Sequence, residues 1–403
     1  MTEVLVLDAA DVAGVNAALG RALDGGPAVL VQDARARRLA GEGAATDLSS
    51  VPDRIALLIQ TSGSMGTPKT VALSADALRA SSGAVLSRLG GAGQWLLTLP
   101  LSYIAGLSVL VRSAASGVEP VVMPSGPFDA RTFTEAAEQL THERRYTSLV
   151  PVQLMRLLDE MKHDAHVAHV ARRFDAILIG GQALEPSLRH RAEQVGLVVV
   201  ETYGSSETSG GCVYDGLPLD GVQVRVEESG EVLLSGATLA WGYLGNEELT
   251  VDRFVELDGQ RWYRTGDGGA YENGSLSISG RLDRIIISGG LKISLDAVAE
   301  SAAKAVGITQ AVAINIPDSE WGERPGVVVT VDASILAGSS ASESGDADNP
   351  PSAYAAVYDA IVAELGRAAA PKAVEVVEHI PLLESGKPNL VALRDLCLAR
   401  LES

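Results

Sequence analysis

Short apolar runs alternate with stretches in which apolar positions recur every third or fourth residue, and this pattern predicts most elements of the first half of the chain. Strands are expected at Glu3–Asp8 and Ala28–Gln32, a helix at Ala10–Leu23, and a polar connector through Asp53. The run beginning at Arg54 (RIALLI) has the length and make-up of a buried strand. Ser74 reads as the N-cap of a helix over Ala75–Leu89. Strand-like Gln94–Thr98, Pro120–Met123, Thr147–Val150, Ala176–Ile179 and Leu197–Thr202 then alternate with helical Asp129–Leu140, Val152–Met161 and Glu185–Val195. Between them, Leu99–Ser113 begins as a loop and continues as a buried helix. Such β/α alternation predicts an α/β fold: mostly parallel sheets flanked by helices, with ligands at the carboxyl ends of the strands.

From Gly221 the period changes. Short alternating strands at Val222–Val226, Glu231–Leu234, Gly259–Tyr263 and Ser275–Ser279 predict a small antiparallel β subdomain over about 221–280. From about Arg284 a small α+β segment is expected, with strands at Ile285–Ile287, Ala311–Ile316, Gly326–Val331 and Ala373–Glu378 and helices at Leu295–Val306 and Ala353–Ala369. The Ser/Gly/Asp/Pro-rich stretch Ala337–Ser352 lacks apolar periodicity and reads as a mobile loop.

The first chemistry lies behind the Arg54 run, in Gln60–Lys69 (QTSGSMGTPK). Glycines let backbone approach an anion, hydroxyls and N–H groups donate to its oxygens, and a lysine adds charge, which together suit a polyphosphate. A Walker A loop requires Gly directly before its Lys, whereas Pro68 stands before Lys69, so this is a different phosphate loop. A Gly/Ser-rich surface turn is the plain alternative.

Charge sharpens the picture. With 51 acidic against 32 basic residues the net charge is −19, which repels nucleic acid and anionic lipid, so neither is an expected partner. It repels ATP as well, so a nucleotide site must gather its own positive potential, and a lysine inside a Gly-rich motif counts for more than a scattered one. No apolar run reaches the ~18 residues of a membrane span, and the opening MTEVLVLDAAD has no basic segment of a signal peptide. Cys212 and Cys397 match neither a metal spacing nor a disulfide framework and read as reduced thiols of a cytoplasmic protein.

Further motifs follow downstream. AILIGGQAL (Ala176–Leu184) is a strand ending in Gly180-Gly181. ETYGSSETSGG (Glu201–Gly211) brings an aromatic, hydroxyls and a carboxylate to a strand end, where Tyr203 can stack on a base and Glu207 can hold Mg²⁺ on phosphate oxygens. For Glu207 alone, a solvated turn carboxylate is the alternative. WYRTGD (Trp262–Asp267) ends in a carboxylate after a tight turn, and Asp267 can accept from ribose hydroxyls. GRLDRIIISGGLKI (Gly280–Ile293) joins a charged bend to an apolar strand and a Gly-Gly loop, and PLLESGKPN (Pro381–Asn389) carries Lys387.

In this order the motifs resemble those of the adenylate-forming superfamily: acyl-CoA synthetases, luciferases and peptide-synthetase adenylation domains. The resemblance covers nearly all of the chain from Gln60 onward. It implies a large domain over 1–282 and a mobile C-terminal α+β domain over 283–403, and ATP, Mg²⁺ and coenzyme A as ligands. It implies that Thr61, Ser62, Gly63, Ser64, Thr67 and Lys69 embrace the β- and γ-phosphates, and that Gly180, Gly181 and Tyr203 frame adenine. Glu207 would bind Mg²⁺, Thr208 would stand near the α-phosphate, and Asp267 and Arg281 would hold ribose. Asp283 would be the hinge. Lys387 would be the catalytic lysine, its ammonium stabilising the charge that grows as a carboxylate attacks phosphorus, and Ser288, Gly289 and Gly290 would form the loop presented to the thiol of coenzyme A.

Two departures from the family pattern stand out. Only about sixty residues precede the phosphate loop, implying a trimmed N-terminal part and an acyl pocket that is more open or shared with a homodimer partner. Tyr103 stands where the family commonly has His, and it can donate a hydrogen bond but cannot become a cation near neutral pH. The short length, LPLSYIAGLSVLVRS and SLVPVQLMRLL look most like the o-succinylbenzoate–CoA ligases of menaquinone biosynthesis, the short actinobacterial forms in particular. Tyr103, Ala105, Gly106, Leu107, Ser205 and Ser209 are the pocket candidates, and no residue is singled out for the second carboxylate of such an acid. The rival expectations are another aryl- or acyl-CoA synthetase, an enzyme that loads a carrier protein, and an inactive ATP-binding relative.

Overall fold

A computed structural model of the chain describes residues 1–33, 48, 50–62, 68–331, 353–381 and 388–402. The described residues divide into two compact units, Met1–Glu227 with Val232–Thr265 and Tyr271–Ser277, and Glu228–Glu231 with Gly266–Ala270 and Ile278–Ser403.

In the first unit the early apolar runs pair side by side. Val4–Asp8, Ala28–Gln32 and Ile55–Ser62 lie parallel, and the helix Val12–Leu23 follows the first of them. That helix starts where Asp11 accepts from the Gly14 N–H, and it buries Val15, Ala18, Leu19 and Ala22, the spacing of one helical face. Two antiparallel strands complete the sheet, Pro68–Ser74 beside Ile55–Ser62 and then Gly242–Tyr243. Sequence reading stopped at the loop and placed no strand at Pro68–Ser74. Thr70, Val71, Ala72 and Leu73 are all buried, so the segment has no alternation of faces to announce it.

A second sheet has the order Leu217–Pro218, Gly210–Tyr214, Val199–Ser205, Ala176–Ile179, Arg145–Leu149, Gln94–Leu97 and Val121–Val122, parallel from Val199–Ser205 onward. Trp95 and Tyr146 pack ring to ring in its interior, 5.0 Å apart. As expected, Ser74 caps the helix Ala75–Arg88, accepting from the Ala77 N–H. Gln223–Val226, Glu231–Ser235, Gln260–Glu272 and Phe254–Leu257 form the antiparallel β part.

In the second unit Leu291–Ser294, Ile285–Ser288, Gly322–Val331 and Ile308–Asp318 form an antiparallel sheet, with Ala373–Val376 parallel to Gly322–Val331. Helices Leu295–Ala303 and Ala353–Leu365 cover one core, built on Val298, Val327, Val329, Val357 and Ile361. The helices Ala165–Ala171, Glu247–Arg253 and Leu390–Glu402 were not foreseen. The first two are barely two turns long, and leucines spread around the third leave it no single-face period. The loop expected at Ala337–Ser352 lies outside the described residues.

Candidate active site

The strands on either side of the expected phosphate loop pair with each other. Ile55–Ser62 and Pro68–Ser74 pair so that Gln60 faces Thr70, Thr61 faces Lys69 and Ser62 faces Pro68. Pro68, which has no N–H to give, stands at the first position of its strand. Gly63, Ser64 and Thr67 lie outside the described residues. The Thr61 hydroxyl oxygen is buried and has no hydrogen-bond partner among the described residues.

Lys69 leads from the hairpin to Glu207. Its Nζ lies 2.6 Å from Glu207 Oε1, in a pair whose side chains are 26% and 5% exposed. Glu207 sits in the 3₁₀ turn Ser206–Thr208 that ends the strand Val199–Ser205. The Tyr243 hydroxyl donates to the same Oε1 at 2.9 Å, and Lys69 Nζ donates to that hydroxyl at 3.2 Å while lying 4.7 Å from the ring centroid. Burial alone would raise the pKa of Glu207, but the charge and hydrogen bond of Lys69 and the hydroxyl of Tyr243 outweigh it and hold the carboxyl below its ordinary range. The alternative of a solvated turn carboxylate is therefore excluded. In the other direction, burial and the Glu207 charge push the Tyr243 phenol far up, so it stays a neutral donor.

Thr208 and Ser209 hold the turn together. The Thr208 hydroxyl accepts from the Ser205 N–H at 2.9 Å and lies 2.7 Å from the carbonyl of Gly210, to which it donates. Ser209 has φ +57°, is buried, and donates from Oγ to the Thr238 carbonyl at 2.8 Å. Ser209 was expected in the acyl pocket; the structure gives it the task of pinning the turn. The Ser205 hydroxyl oxygen is buried without a partner.

The Gly-Gly turn and Tyr203 come together at neighbouring strand ends. Gly180 follows Ala176–Ile179, which runs parallel to Val199–Ser205 with Ile179 opposite Glu201. A Cβ at Gly180 would stand 2.4 Å from Thr202 Oγ1, so a larger residue would displace the hydroxyl that donates to the Ile179 carbonyl. Tyr203 is half-buried on the same strand. This is where a parallel sheet receives ligands.

The expected acyl-pocket segment proves to have two faces. Tyr103, 38% exposed, and Ala105, also exposed, open the helix Ile104–Ser116, whereas Gly106 and Leu107 point into the core. A Cβ at Gly106 would meet the Pro100 carbonyl at 2.3 Å, so the close packing of the chain there requires glycine. The same helix carries a residue that sequence reading missed. Arg112 is 4% exposed, its guanidinium lies 5.0 Å from the Trp95 ring centroid, and its one hydrogen bond, to the Tyr214 hydroxyl, is 3.4 Å long. Among the described residues no carboxylate pairs with it. Ile104, Ser108 and Arg112, spaced four apart on one face, all lie within 4 Å of where a Cβ of Gly210 would stand, and the Ser108 hydroxyl is buried without a partner. A basic residue inside the apolar run GLSVLVRS was the available signal.

In the second unit Asp267 lies within the strand Gln260–Glu272, not after a tight turn as expected; Gly266, at φ +73°, only kinks the strand. Arg281 joins two expected partners. Its Nη1 donates to Asp267 at 3.3 Å, and its Nε and Nη2 fork onto Asp283 at 3.1 and 2.9 Å. Gly289 and Gly290, at φ +57° and +82°, form the two-residue turn between Ile285–Ser288 and Leu291–Ser294, a primed turn that favours glycine. Ser288 is fully buried, so the turn presents its glycines and not the serine hydroxyl. Lys387 lies outside the described residues.

A hairpin that carries Lys69, its buried pair with Glu207 and a Gly-Gly turn at parallel strand ends fit an adenylate-forming enzyme. The AMP-binding enzyme family model matches residues 4–244, and the chain belongs to that family. It is 38% identical over 347 residues, 85% of each chain, to a protein of Mycobacterium tuberculosis (strain ATCC 25618 / H37Rv) described as "Probable 2-succinylbenzoate--CoA ligase". Among solved structures, an E. coli MenE variant with bound OSB-AMS is 27% identical with a TM-score of 0.63, covering 88% of this chain and 71% of that one. The Bacillus subtilis o-succinylbenzoate CoA synthetase (MenE) in complex with the acyl-adenylate OSB-AMP has a TM-score of 0.73 over 97% of this chain and 82% of that one; at 22% identity it is a likeness of fold.

Proposed function

We propose that the chain is an ATP-dependent 2-succinylbenzoate–CoA ligase that works through an acyl-adenylate in menaquinone synthesis. The observation that carries the reading is a buried arginine, Arg112, which has no carboxylate partner among the described residues and lies beside the turn that holds Glu207. An acid with two carboxylates needs one free to react and one held, and a buried guanidinium with an idle Ser108 hydroxyl beside it suits the second.

In the first half-reaction the succinyl carboxylate oxygen attacks the α-phosphorus of ATP, the bond from phosphorus to the bridging oxygen breaks, and pyrophosphate leaves. Lys69 and the Thr61 hydroxyl hold the leaving phosphates, Tyr203 and Gly180–Gly181 frame the base, and Asp267 and Arg281 take the ribose. Lys387 stabilises the two oxygens that meet at phosphorus. A single buried carboxylate suits Mg²⁺, which keeps waters and binds one or two carboxylates along with phosphate oxygens. Glu207 would hold the ion together with phosphate oxygens, where it would supply neutralising charge. In the second half-reaction the thiol of coenzyme A, losing its proton, attacks the acyl carbonyl and AMP leaves. Asp283 is the pivot between the two steps, and the Gly289–Gly290 turn serves the second.

None of the described helices is long and apolar enough to cross a membrane. A cytoplasmic location and a homodimer complete the proposal. The test is exchange of labelled pyrophosphate into ATP with 2-succinylbenzoate and a panel of other aryl and fatty acids. Exchange with 2-succinylbenzoate alone is expected; exchange with another acid only would keep the chemistry and discard the pathway.

A further inference from the structure

Lys69 directs its ammonium at Glu207, 2.6 Å away, and as a phosphate ligand it would turn part of that charge from the carboxylate toward the phosphates. As Lys69 turns to the phosphates, Glu207 would exchange that partner for the Mg²⁺ they carry, and a buried carboxylate in such an exchange needs a fixed donor to keep it aimed. The Tyr243 hydroxyl is the side-chain donor that stays, 2.9 Å from Oε1. Tyr243 is 1% exposed and built in from several sides. Its backbone N–H donates to Thr250 Oγ1 at 2.9 Å, and its strand pairs Gly242 with Ala72 and Tyr243 with Val71, two residues from Lys69. The segment leading to it is strapped over the Glu207 turn. Ala240 N–H donates to the Glu207 carbonyl at 2.8 Å, Ser209 holds the Thr238 carbonyl, and the Arg261 guanidinium forks onto the carbonyls of Ala240 and Trp241, both at 2.7 Å. Arg261 also stacks over Phe254, 4.3 Å from the ring centroid.

We propose that Tyr243 is a positioning residue for polyphosphate binding: its hydroxyl accepts Lys69 in the nucleotide-free protein and keeps the Glu207 carboxylate held and aimed once Lys69 moves to the phosphates. This rests on the reading of Lys69 as a phosphate ligand. The hydroxyl has one proton for Glu207 and lone pairs for Lys69, so it fits both states without turning. A nucleotide that leaves Lys69 on Glu207 gains nothing from it.

Calorimetric titration of MgATP and of AMP into Tyr243→Phe provides the test. While Lys69 sits on Glu207 the carboxylate has a second partner, so loss of the Tyr243 hydrogen bond should tell once Lys69 has moved and weaken MgATP binding about tenfold, while AMP, which has no β- or γ-phosphate, binds as before. Equal loss for both nucleotides, or no loss, would overturn the proposal, since a merely structural hydroxyl does not distinguish them. If the phenylalanine variant does not fold, 3-fluorotyrosine at position 243 keeps ring and hydroxyl while making a better donor and poorer acceptor; MgATP should then bind more tightly and AMP unchanged, and unchanged MgATP affinity overturns the idea. Lys69→Met separates the two layers. If it keeps full MgATP affinity, the reading of Lys69 is wrong; if it loses affinity and Tyr243→Phe does not, only the role of Tyr243 is wrong.

Discussion

Replacing Arg112 by Met should do two opposite things, which makes it the sharpest test of the substrate assignment. In the free protein the guanidinium is buried, with one long hydrogen bond to Tyr214 and the face of Trp95 for company. The cation–π contact is worth about 0.5–2 kcal/mol, against a desolvation penalty of several kcal/mol for an ion with no carboxylate opposite among the described residues. Met fills much of the same length without that penalty. The melting temperature of Arg112→Met should therefore stay level or rise. With substrate bound, the same guanidinium faces a carboxylate in a buried setting, and removing one partner of such a pair costs about 3–5 kcal/mol. At about 1.4 kcal/mol per decade, kcat/KM for 2-succinylbenzoate should fall by roughly two to three and a half decades. The assay is pyrophosphate exchange with 2-succinylbenzoate and with 4-oxo-4-phenylbutanoate, which lacks the ring carboxylate. Wild type should discriminate strongly between the two acids and the variant hardly at all. A variant that melts lower but keeps the wild-type preference would refute the reasoning and make Arg112 a packing residue.

Three other outcomes are expected. Lys387→Ala should nearly abolish acyl-adenylate formation yet convert supplied acyl-adenylate and coenzyme A to thioester; equal loss of both steps contradicts a pivot at Asp283. Asp318 accepts from the Trp321 and Glu320 N–H groups and pairs with Lys372, which bring its pKa from 3.8 down to about 2. A depressed carboxylate stabilises the fold above its unfolded pKa and ceases to as pH falls through the folded one, so Asp318→Asn should blunt the acid unfolding of the second unit between about pH 4 and 2, followed by circular dichroism. Cys212 and Cys397 are buried, and burial pushes both thiols up to about 12. Native protein should resist iodoacetamide at neutral pH and denatured protein should take two labels, checked by mass spectrometry.

The sequence alone determined which chemistry is carried and in what order. A phosphate loop, a Gly-Gly turn, Glu207, Asp267 and Arg281 are local patterns, because each depends on a turn or strand end that a few neighbouring residues specify. The alternation of apolar runs likewise determined the α/β architecture and its antiparallel insert, since period and strand length are written in consecutive positions. What only the tertiary structure decided is how side chains far apart in the chain answer one another. Glu207 read alone as a solvated carboxylate, and it is the arrival of Lys69, 138 residues away, and Tyr243, 36 residues away, that makes it a buried ion. Gly106 and Leu107 are buried by the fold, and so is Arg112, a basic residue that drew no notice in the sequence. Burial is a property of the assembled sheets and helices, and it sets both the strength of a charge and the need for its partner. No local pattern can state it.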